Sequence, residues 1–103
     1  MFDFIKKLFG GSTVNYSELI ENGAVIVDVN KQQEYRSGNI RGSLNIPLDQ
    51  LKGNLKKIKK DKPVIVCCAS GMRSGAAKGV LQSNGFTQVY NAGSWHKLTK
   101  YVN

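Results

Sequence analysis

The chain has 103 residues, of which 41% are hydrophobic and 21% are charged. A chain of this length builds one domain with a real core but not two, and the composition is ordinary for a globular protein. The net charge of +8 is high for the size, and six lysines crowd one stretch, at positions 52, 56, 57, 59, 60 and 62. No aromatic residue interleaves with them, so we interpret the stretch as a solvated helix face and loop. We expect no nucleic-acid partner, although the charge favours attraction of small anions.

The first nine residues have the pattern of a short amphipathic helix. Four apolar side chains share its face: Phe2, Ile5, Leu8 and Phe9. Gly10-Gly11-Ser12 then forms a hinge, which divides the chain into an N-terminal segment, residues 1–12, and a domain, residues 13–103. The segment is too short to span a membrane and lacks a cleavage-site pattern, so we interpret it as neither anchor nor signal peptide. Packing against the domain, or a frayed end, is favoured over weak docking of residues 1–9 to a membrane or partner.

Strand and helix patterns alternate through the first half of the domain. Short strands are predicted at residues 13–15, 24–29 and 44–46. Helices are predicted at residues 18–22, with Ser17 as the N-cap, and at residues 32–37. A further helix follows from four apolar residues at helical spacing: Leu48, Leu51, Leu55 and Ile58.

The second half begins with an apolar, β-branched run from Pro63 to Cys68, which is typical of a buried parallel strand. A loop of small residues follows, and a helix then runs to about Asn84. A last strand is predicted at residues 88–91, a loop at 92–95 and a helix to about Tyr101. The alternation predicts an α/β fold with a central, mainly parallel sheet of about five short strands flanked by helices.

Two adjacent cysteines, Cys67 and Cys68, end the central strand. Successive side chains of a strand point to opposite faces, so the two are poor disulfide partners. With no disulfide framework, nothing favours an oxidising compartment, and we expect a cytoplasmic protein. The only histidine is His96 and no C-x-x-C occurs, so we expect no metal and no cofactor.

Cys68 lies at the carboxyl end of a strand, on a tight loop, at the start of a helix. Open α/β sheets place their ligand sites there, and backbone N–H groups and the helix dipole favour a thiolate. We expect the N–H groups from Ala69 to Arg73 to form an anion cradle, with Arg73 holding an anionic substrate or locking the loop through carbonyl contacts. Cys68 is therefore the candidate nucleophile, and we interpret Cys67 as a buried residue of the strand end.

Four segments carry recognisable motifs: Ile26–Val29 with Glu34-Tyr35, Gly38–Pro47, Cys68–Ser74 with Ala76-Ala77, and Gly85–Phe86 with Val89–Asn91 and Gly93–Trp95. In this order they resemble the "D-V-R…E-Y", "G-H-I-x-G-A-x-N-I-P", active-site-loop and "G-F…G-G-x-x-x-W" elements of the rhodanese family of sulfurtransferases. The resemblance covers residues 13–98. It implies a small, single-domain, rhodanese-like fold.

The resemblance also implies the chemistry. Cys68 would take a sulfane sulfur from a small anionic donor, such as thiosulfate or a persulfide. It would then hand the sulfur to cyanide, a thiol or a protein cysteine. The loop residues Ala69, Ser70, Gly71, Met72, Arg73 and Ser74 would bind the donor, with Asp28, Arg41 and Trp95 in support. His96 is not needed as a base, and a monomer is expected.

The chain departs from the family pattern at three places. Asn30 stands where the family usually has arginine, and Asn39 where it usually has histidine. We expect both to affect structural hydrogen bonds and not the chemistry. Ala69 and Met72 leave Arg73 as the only cation inside the loop, whereas family members that use thiosulfate well often carry extra positive charge there.

Two other functions stay open at this stage. Counted from Cys67, the stretch reads Cys-x5-Arg-Ser, the spacing of phosphatases and of arsenate reductases of the rhodanese fold. Val66 stands where tyrosine phosphatases have histidine, and no aspartate is evident as a general acid, so we favour Cys68. A sulfur carrier or binding module with little free turnover is the second alternative.

Overall fold

The computed structural model describes residues 14–102. The predicted amphipathic segment and hinge of residues 1–12 lie outside the described residues. The helices are α1 (Tyr16–Glu21), α2 (Gln32–Ser37), α3 (Leu48–Leu51) and α4 (Met72–Ser83). The strands are β1 (Val25–Asp28), β2 (Leu44–Asn45), β3 (Val64–Cys68) and β4 (Val89–Ser94). Two 3₁₀ helices, Lys52–Lys57 and Trp95–Leu98, complete the elements.

The described strands form one parallel sheet in the order β2-β1-β3-β4. The predicted α/β fold with a parallel sheet is confirmed, with four strands in place of about five. Val14 and Asn15 do not form the expected edge strand, because the Asn15 side chain accepts the Glu18 N–H at 3.0 Å and caps α1. Asn15, and not Ser17, is therefore the N-cap.

Hydrophobic cores cover both faces of the sheet, and β3 contributes to each in alternation. Val64, Val66 and Cys68 belong to one core, with Leu51, Leu81 and Phe86. Ile65 and Cys67 belong to the other, with Ile26, Ile40 and Leu98. Because side chains alternate along a strand, Cys67 and Cys68 face opposite cores.

The predicted helix over Leu48–Ile58 is interrupted. The four-residue α3 passes into the 3₁₀ helix Lys52–Lys57, in which Asn54 has non-helical backbone angles (φ −127°). The buried side chains Leu51 and Ile58 still reach the core. The six clustered lysines are all exposed, as expected for a solvated surface.

The end of the chain also differs from the expectation. Strand β4 continues to Ser94, so the predicted loop at 92–95 is largely strand. A short 3₁₀ helix replaces the helix to Tyr101, since the His96 carbonyl accepts both the N–H and the hydroxyl of Thr99, which closes a three-residue turn. No helix within residues 14–102 is long and apolar enough to cross a bilayer.

Candidate active site

The candidate nucleophile lies where β3 passes into α4. Strand β3 ends at Cys68 and helix α4 begins at Met72, with Gly71 as its N-cap. Gly71 has φ +103°, a left-handed conformation that favours glycine. A Cβ at this position would lie 3.4 Å from the Gly93 Cα, so the loop also packs closely on β4. The predicted strand–loop–helix arrangement is present.

The Cys68 sulfur is hydrogen-bonded by the loop and by the first turn of α4. Its side chain is fully buried (0% exposed). The Gly71 N–H donates to Sγ at 2.9 Å, and the Sγ–Oγ distance to Ser74 is 3.4 Å. Ser74 is also fully buried, and its hydroxyl donates to the Gly71 carbonyl at 3.1 Å. Neutral dipoles of the loop and of the first helical turn therefore converge on one sulfur atom.

The pKa values of the two cysteine thiols are shifted in opposite directions. Burial by itself raises the pKa of the Cys68 thiol. Hydrogen bonds from the Ser74 hydroxyl and from the N–H groups of Ser74, Gly71 and Ser70 outweigh burial and hold its pKa below the ordinary value. Burial, followed by the nearby charges of Asp28 and Cys68, raises the pKa of Cys67 to about 12. A thiolate therefore forms more readily at Cys68 than at Cys67.

The cradle differs from the prediction at its first residue. The Ala69 N–H does not face the sulfur but donates to the side-chain Oδ1 of Asn30 at 3.0 Å. Asp28 accepts the Asn30 N–H through Oδ1 at 2.9 Å, and it pairs in register with Cys67 on β3. Asp28 thus supports the loop through Asn30, without a hydrogen bond to the nucleophile.

The carboxyl of Asp28 is buried, and its second oxygen has no hydrogen-bond partner among the described residues. Burial is the main cause that raises its pKa, although the Asn30 hydrogen bonds oppose the shift.

Arg73 forms an ion pair with Glu34 in place of the expected contacts with loop carbonyls. Its guanidinium donates to both carboxylate oxygens of Glu34 on α2, at 2.6 and 2.9 Å. No hydrogen bond from Arg73 to a loop carbonyl occurs within residues 14–102, so the predicted lock through carbonyls is not formed. The Arg73 hydrogen bonds, with that of the Lys31 N–H, lower the pKa of Glu34 to about 2. The ion pair ties the start of α4 to α2.

The other predicted supporting residues lie apart from the sulfur. Trp95 packs in the second core against Gly38, where a Cβ would approach the indole to 2.8 Å. It stacks on His96 with ring centroids 3.9 Å apart. Arg41 is exposed on the turn after α2, and it makes no polar contact with the loop in the described part of the chain. Met72 is 84% exposed beside the loop.

An open groove of about 460 Å³ borders Arg73 and is lined in part by Val29, Lys31, Pro47 and Leu48. Cys68 is not among the residues that line this groove, although Arg73, which follows the Cys68 loop, is. No group of three potential metal ligands was found within residues 14–102.

Sequence reasoning did not single out Asn30, Glu34 or Asn45 as site residues. Both Asn30 and Glu34 nevertheless lie in the family-like motifs: Asn30 at the position that usually holds arginine, and Glu34 in the "E-Y" pair. Asn45 donates through Nδ2 to the carbonyls of Asp28 and Asn30, at 3.0 and 2.9 Å. It joins β2 to the segment that carries Asn30.

Comparison with known proteins gives consistent matches. The model of the family described as "Rhodanese-like domain" matches residues 12–100. The chain is 44% identical over 68 residues to the uncharacterized protein YqhL of Bacillus subtilis, covering 66% of this chain and 54% of that protein. It is 38% identical over 69 residues to the thiosulfate sulfurtransferase PspE of Escherichia coli, covering 65% and 66%. The matched segments thus span about half to two thirds of these relatives.

Among solved structures, the human single-domain sulfurtransferase TSTD1 superposes with a TM-score of 0.70 at 26% identity. The alignment covers 91% of this chain and 100% of the human one. The likeness therefore extends over nearly the whole of both chains.

Proposed function

The chain belongs to the rhodanese-like domain family, and on that premise we propose that it is a sulfurtransferase. Cys68 takes a sulfane sulfur from a small anionic donor, such as thiosulfate or a persulfide, and passes it to a thiophilic acceptor. The observation that carries the proposal is the buried Cys68 thiol, whose pKa is lowered by the hydrogen bonds of the loop and of Ser74. The relative with the name thiosulfate sulfurtransferase supports the same reaction class.

In the first step the Cys68 thiolate attacks the outer sulfur of thiosulfate. The bond between Cys68 Sγ and that sulfur forms while the sulfur–sulfur bond of thiosulfate breaks, and sulfite leaves with the electron pair. The enzyme then holds a persulfide anion on Cys68. The N–H of Gly71, which lies 2.9 Å from Sγ, and the start of α4 favour negative charge at this place.

In the second step an acceptor nucleophile attacks the outer sulfur of the persulfide. Cyanide leaves as thiocyanate, and a thiolate leaves as a new persulfide, and in both cases Cys68 Sγ regains its electron pair as a thiolate. No redox cofactor enters the balance. Such a two-step exchange gives ping-pong kinetics, with parallel double-reciprocal lines.

The positive net charge of the whole chain contributes to the attraction of the anionic donor. The net charge is +8, which favours the approach of small anions. Arg73 is the only cation of the loop, and its guanidinium is paired with Glu34. We therefore infer that loop N–H groups, rather than a free guanidinium, contact the donor.

The phosphatase or arsenate reductase alternative needs Cys67 as the nucleophile. Both cysteines are buried, but the pKa of Cys67 is raised to about 12, whereas hydrogen bonds hold the pKa of Cys68 below its ordinary value. These observations support Cys68. A carrier module that serves a single partner protein would use the same Cys68 chemistry, and it differs from a free enzyme in turning over small acceptors slowly.

The test is the intact mass of the protein after incubation with thiosulfate. We compare the parent chain, Cys67→Ser and Cys68→Ser. The parent chain and Cys67→Ser should gain one sulfur atom, and Cys68→Ser should gain none. Cyanide should then remove the added sulfur and release thiocyanate.

Loss of sulfur uptake in Cys67→Ser, with uptake kept in Cys68→Ser, would contradict the proposed nucleophile and favour the longer loop. If no form gains sulfur from thiosulfate or from glutathione persulfide, the sulfurtransferase proposal is wrong, and phosphate-ester and arsenate assays follow. Slow turnover with cyanide but rapid uptake from the donor would favour the carrier.

A further inference from the structure

Asn30 connects the end of β1 to the loop of the nucleophile. Its side chain is buried, with 1% of the residue exposed. The side-chain Oδ1 accepts the N–H of Ala69 at 3.0 Å. That N–H belongs to the peptide unit between Cys68 and Ala69, so the hydrogen bond acts on the backbone of the nucleophile itself.

The backbone of Asn30 is held on both sides. Its N–H donates to the Asp28 carboxylate at 2.9 Å, and its carbonyl accepts from Asn45 Nδ2 at 2.9 Å. Asn45 bonds in the same way to the Asp28 carbonyl at 3.0 Å. Two neighbouring strands therefore fix the position of the Asn30 oxygen before it meets the loop.

The hydrogen bond to Asn30 Oδ1 holds the first residue of the loop, Ala69. Ala69 and Ser70 are exposed, so packing does little to hold them. The other end of the loop is fixed by helix α4, where the Gly75 N–H donates to the Gly71 carbonyl at 3.1 Å. With both ends fixed, the intervening Gly71 N–H stays directed at the sulfur, 2.9 Å away.

We propose that Asn30 is a positioning residue for the nucleophile, which fixes the Cys68–Ala69 peptide and thereby keeps the loop amides directed at the sulfur. The proposal rests on the proposed function only in taking Cys68 as the reactive thiol. Arginine, the usual residue of the family pattern at this place, has donors and no acceptor on its side chain. The anchor is therefore a property of the asparagine in this chain.

The main test is Asn30→Ala, read out by the pH dependence of Cys68 alkylation with iodoacetamide. Without the anchor, the loop amides leave the thiolate for part of the time. A hydrogen bond to a charged group stabilises it by more than the equivalent of one pKa unit, so its partial loss should raise the pKa of Cys68 by about one unit. At a pH below the pKa, the fraction of Cys68 present as thiolate should then fall about tenfold. Glu34 and Arg73 keep their charges and their ion pair in the variant, and Asp28, whose pKa the Asn30 side chain also lowers, keeps its hydrogen bond from the Asn30 backbone N–H.

The matched control is Asn54→Ala, because the Asn54 side chain bonds only to the Gln50 carbonyl of its own helical segment among the described residues. It should leave the pKa of Cys68 unchanged. An unchanged pKa in folded Asn30→Ala, or an equal rise in Asn54→Ala, would overturn the proposal.

Hydrogen exchange keeps the proposal testable if Asn30→Ala does not fold. In the parent chain the Ala69 amide should be protected, although its residue is exposed, and Asn30→Asp should keep that protection because it keeps an acceptor oxygen. Exchange at the rate of an unprotected loop amide in either protein would refute the anchor. Alkylation and hydrogen exchange need no sulfur donor. If the chain takes sulfur from no donor but shows both the pKa rise in Asn30→Ala and the protected Ala69 amide, only the proposed function is contradicted.

Discussion

Replacing Ser74 with alanine isolates the contribution of a single hydroxyl to the reactivity of the nucleophile. Ser74 is fully buried in the first turn of α4, with its Oγ 3.4 Å from the Cys68 Sγ. While the sulfur is protonated, the thiol donates to this oxygen and the hydroxyl donates to the Gly71 carbonyl at 3.1 Å. Once the sulfur is ionised, the hydroxyl turns to donate to the thiolate.

The size of the effect follows from the two hydrogen bonds that Ser74→Ala removes. A hydrogen bond to a charged acceptor contributes about 1.5–3 kcal/mol, and one between neutral groups about 1 kcal/mol. The thiolate loses the first, whereas the thiol state loses the hydroxyl's bond to the Gly71 carbonyl and a weaker S–H bond, so the pKa of Cys68 should rise by up to about one unit. The fold should lose little, because the Gly71 carbonyl keeps the Gly75 N–H at 3.1 Å.

The assay measures the initial rate of Cys68 alkylation by iodoacetamide as a function of pH, together with single-turnover sulfur uptake from thiosulfate. Ser83→Ala is the matched control, since Ser83 is exposed at the other end of the same helix. Ser74→Thr keeps the hydroxyl and should stay close to the parent chain. If Ser74→Ala titrates like the parent chain, the loop N–H groups alone stabilise the thiolate and the reasoning is refuted.

Two further predictions concern the frame around the site. Glu34→Gln should destabilise the domain at neutral pH. Because the hydrogen bonds from Arg73 and from the Lys31 N–H lower the pKa of Glu34 from 4.5 to about 2, the stabilisation is fully present above pH 4.5 and is lost as the pH falls through about 2. Parent and variant acid-unfolding curves that stay equally far apart at the lowest pH would contradict this assignment. Leu81→Ala should cost about 2–5 kcal/mol in urea unfolding, since Leu81 is fully buried in the core beneath α4; a smaller loss would mean that the core collapses around the cavity.

The strand, loop and helix around Cys68 were predictable from the sequence because their signals are local. The run Val64–Val66 is apolar and β-branched, and Gly71 allows the turn. The alternation of side chains along a strand also places Cys67 and Cys68 on opposite faces of the sheet, whichever strands pair with β3. A two-residue period is enough to assign the cysteines to opposite cores.

The polar partners of the loop were not predictable in the same way. The contacts of Asn30 with Ala69 and of Glu34 with Arg73 each join residues 39 positions apart. They exist because β1 pairs with β3, which brings the segment after β1 beside the segment after β3. Hydrophobic periodicity does not indicate which distant residue a polar side chain will meet. The edge strand predicted around Asn15 was wrong for a related reason. The Asn15 side chain caps helix α1, so no strand forms at Val14 and Asn15.

The site separates the stabilisation of the sulfur from the attraction of the donor. The groups that lower the pKa of Cys68 are neutral donors, namely the Ser74 hydroxyl and backbone N–H groups. The cation nearest in sequence, Arg73, is engaged by Glu34. Neutral dipoles at close range are hardly affected by salt, whereas the long-range field of a chain with a net charge of +8 is screened within about 10 Å at 0.1 M salt. On the proposed function, we therefore expect the local geometry of the loop to set the reactivity of the thiolate, and the net charge of the whole chain to set the rate of encounter with an anionic donor.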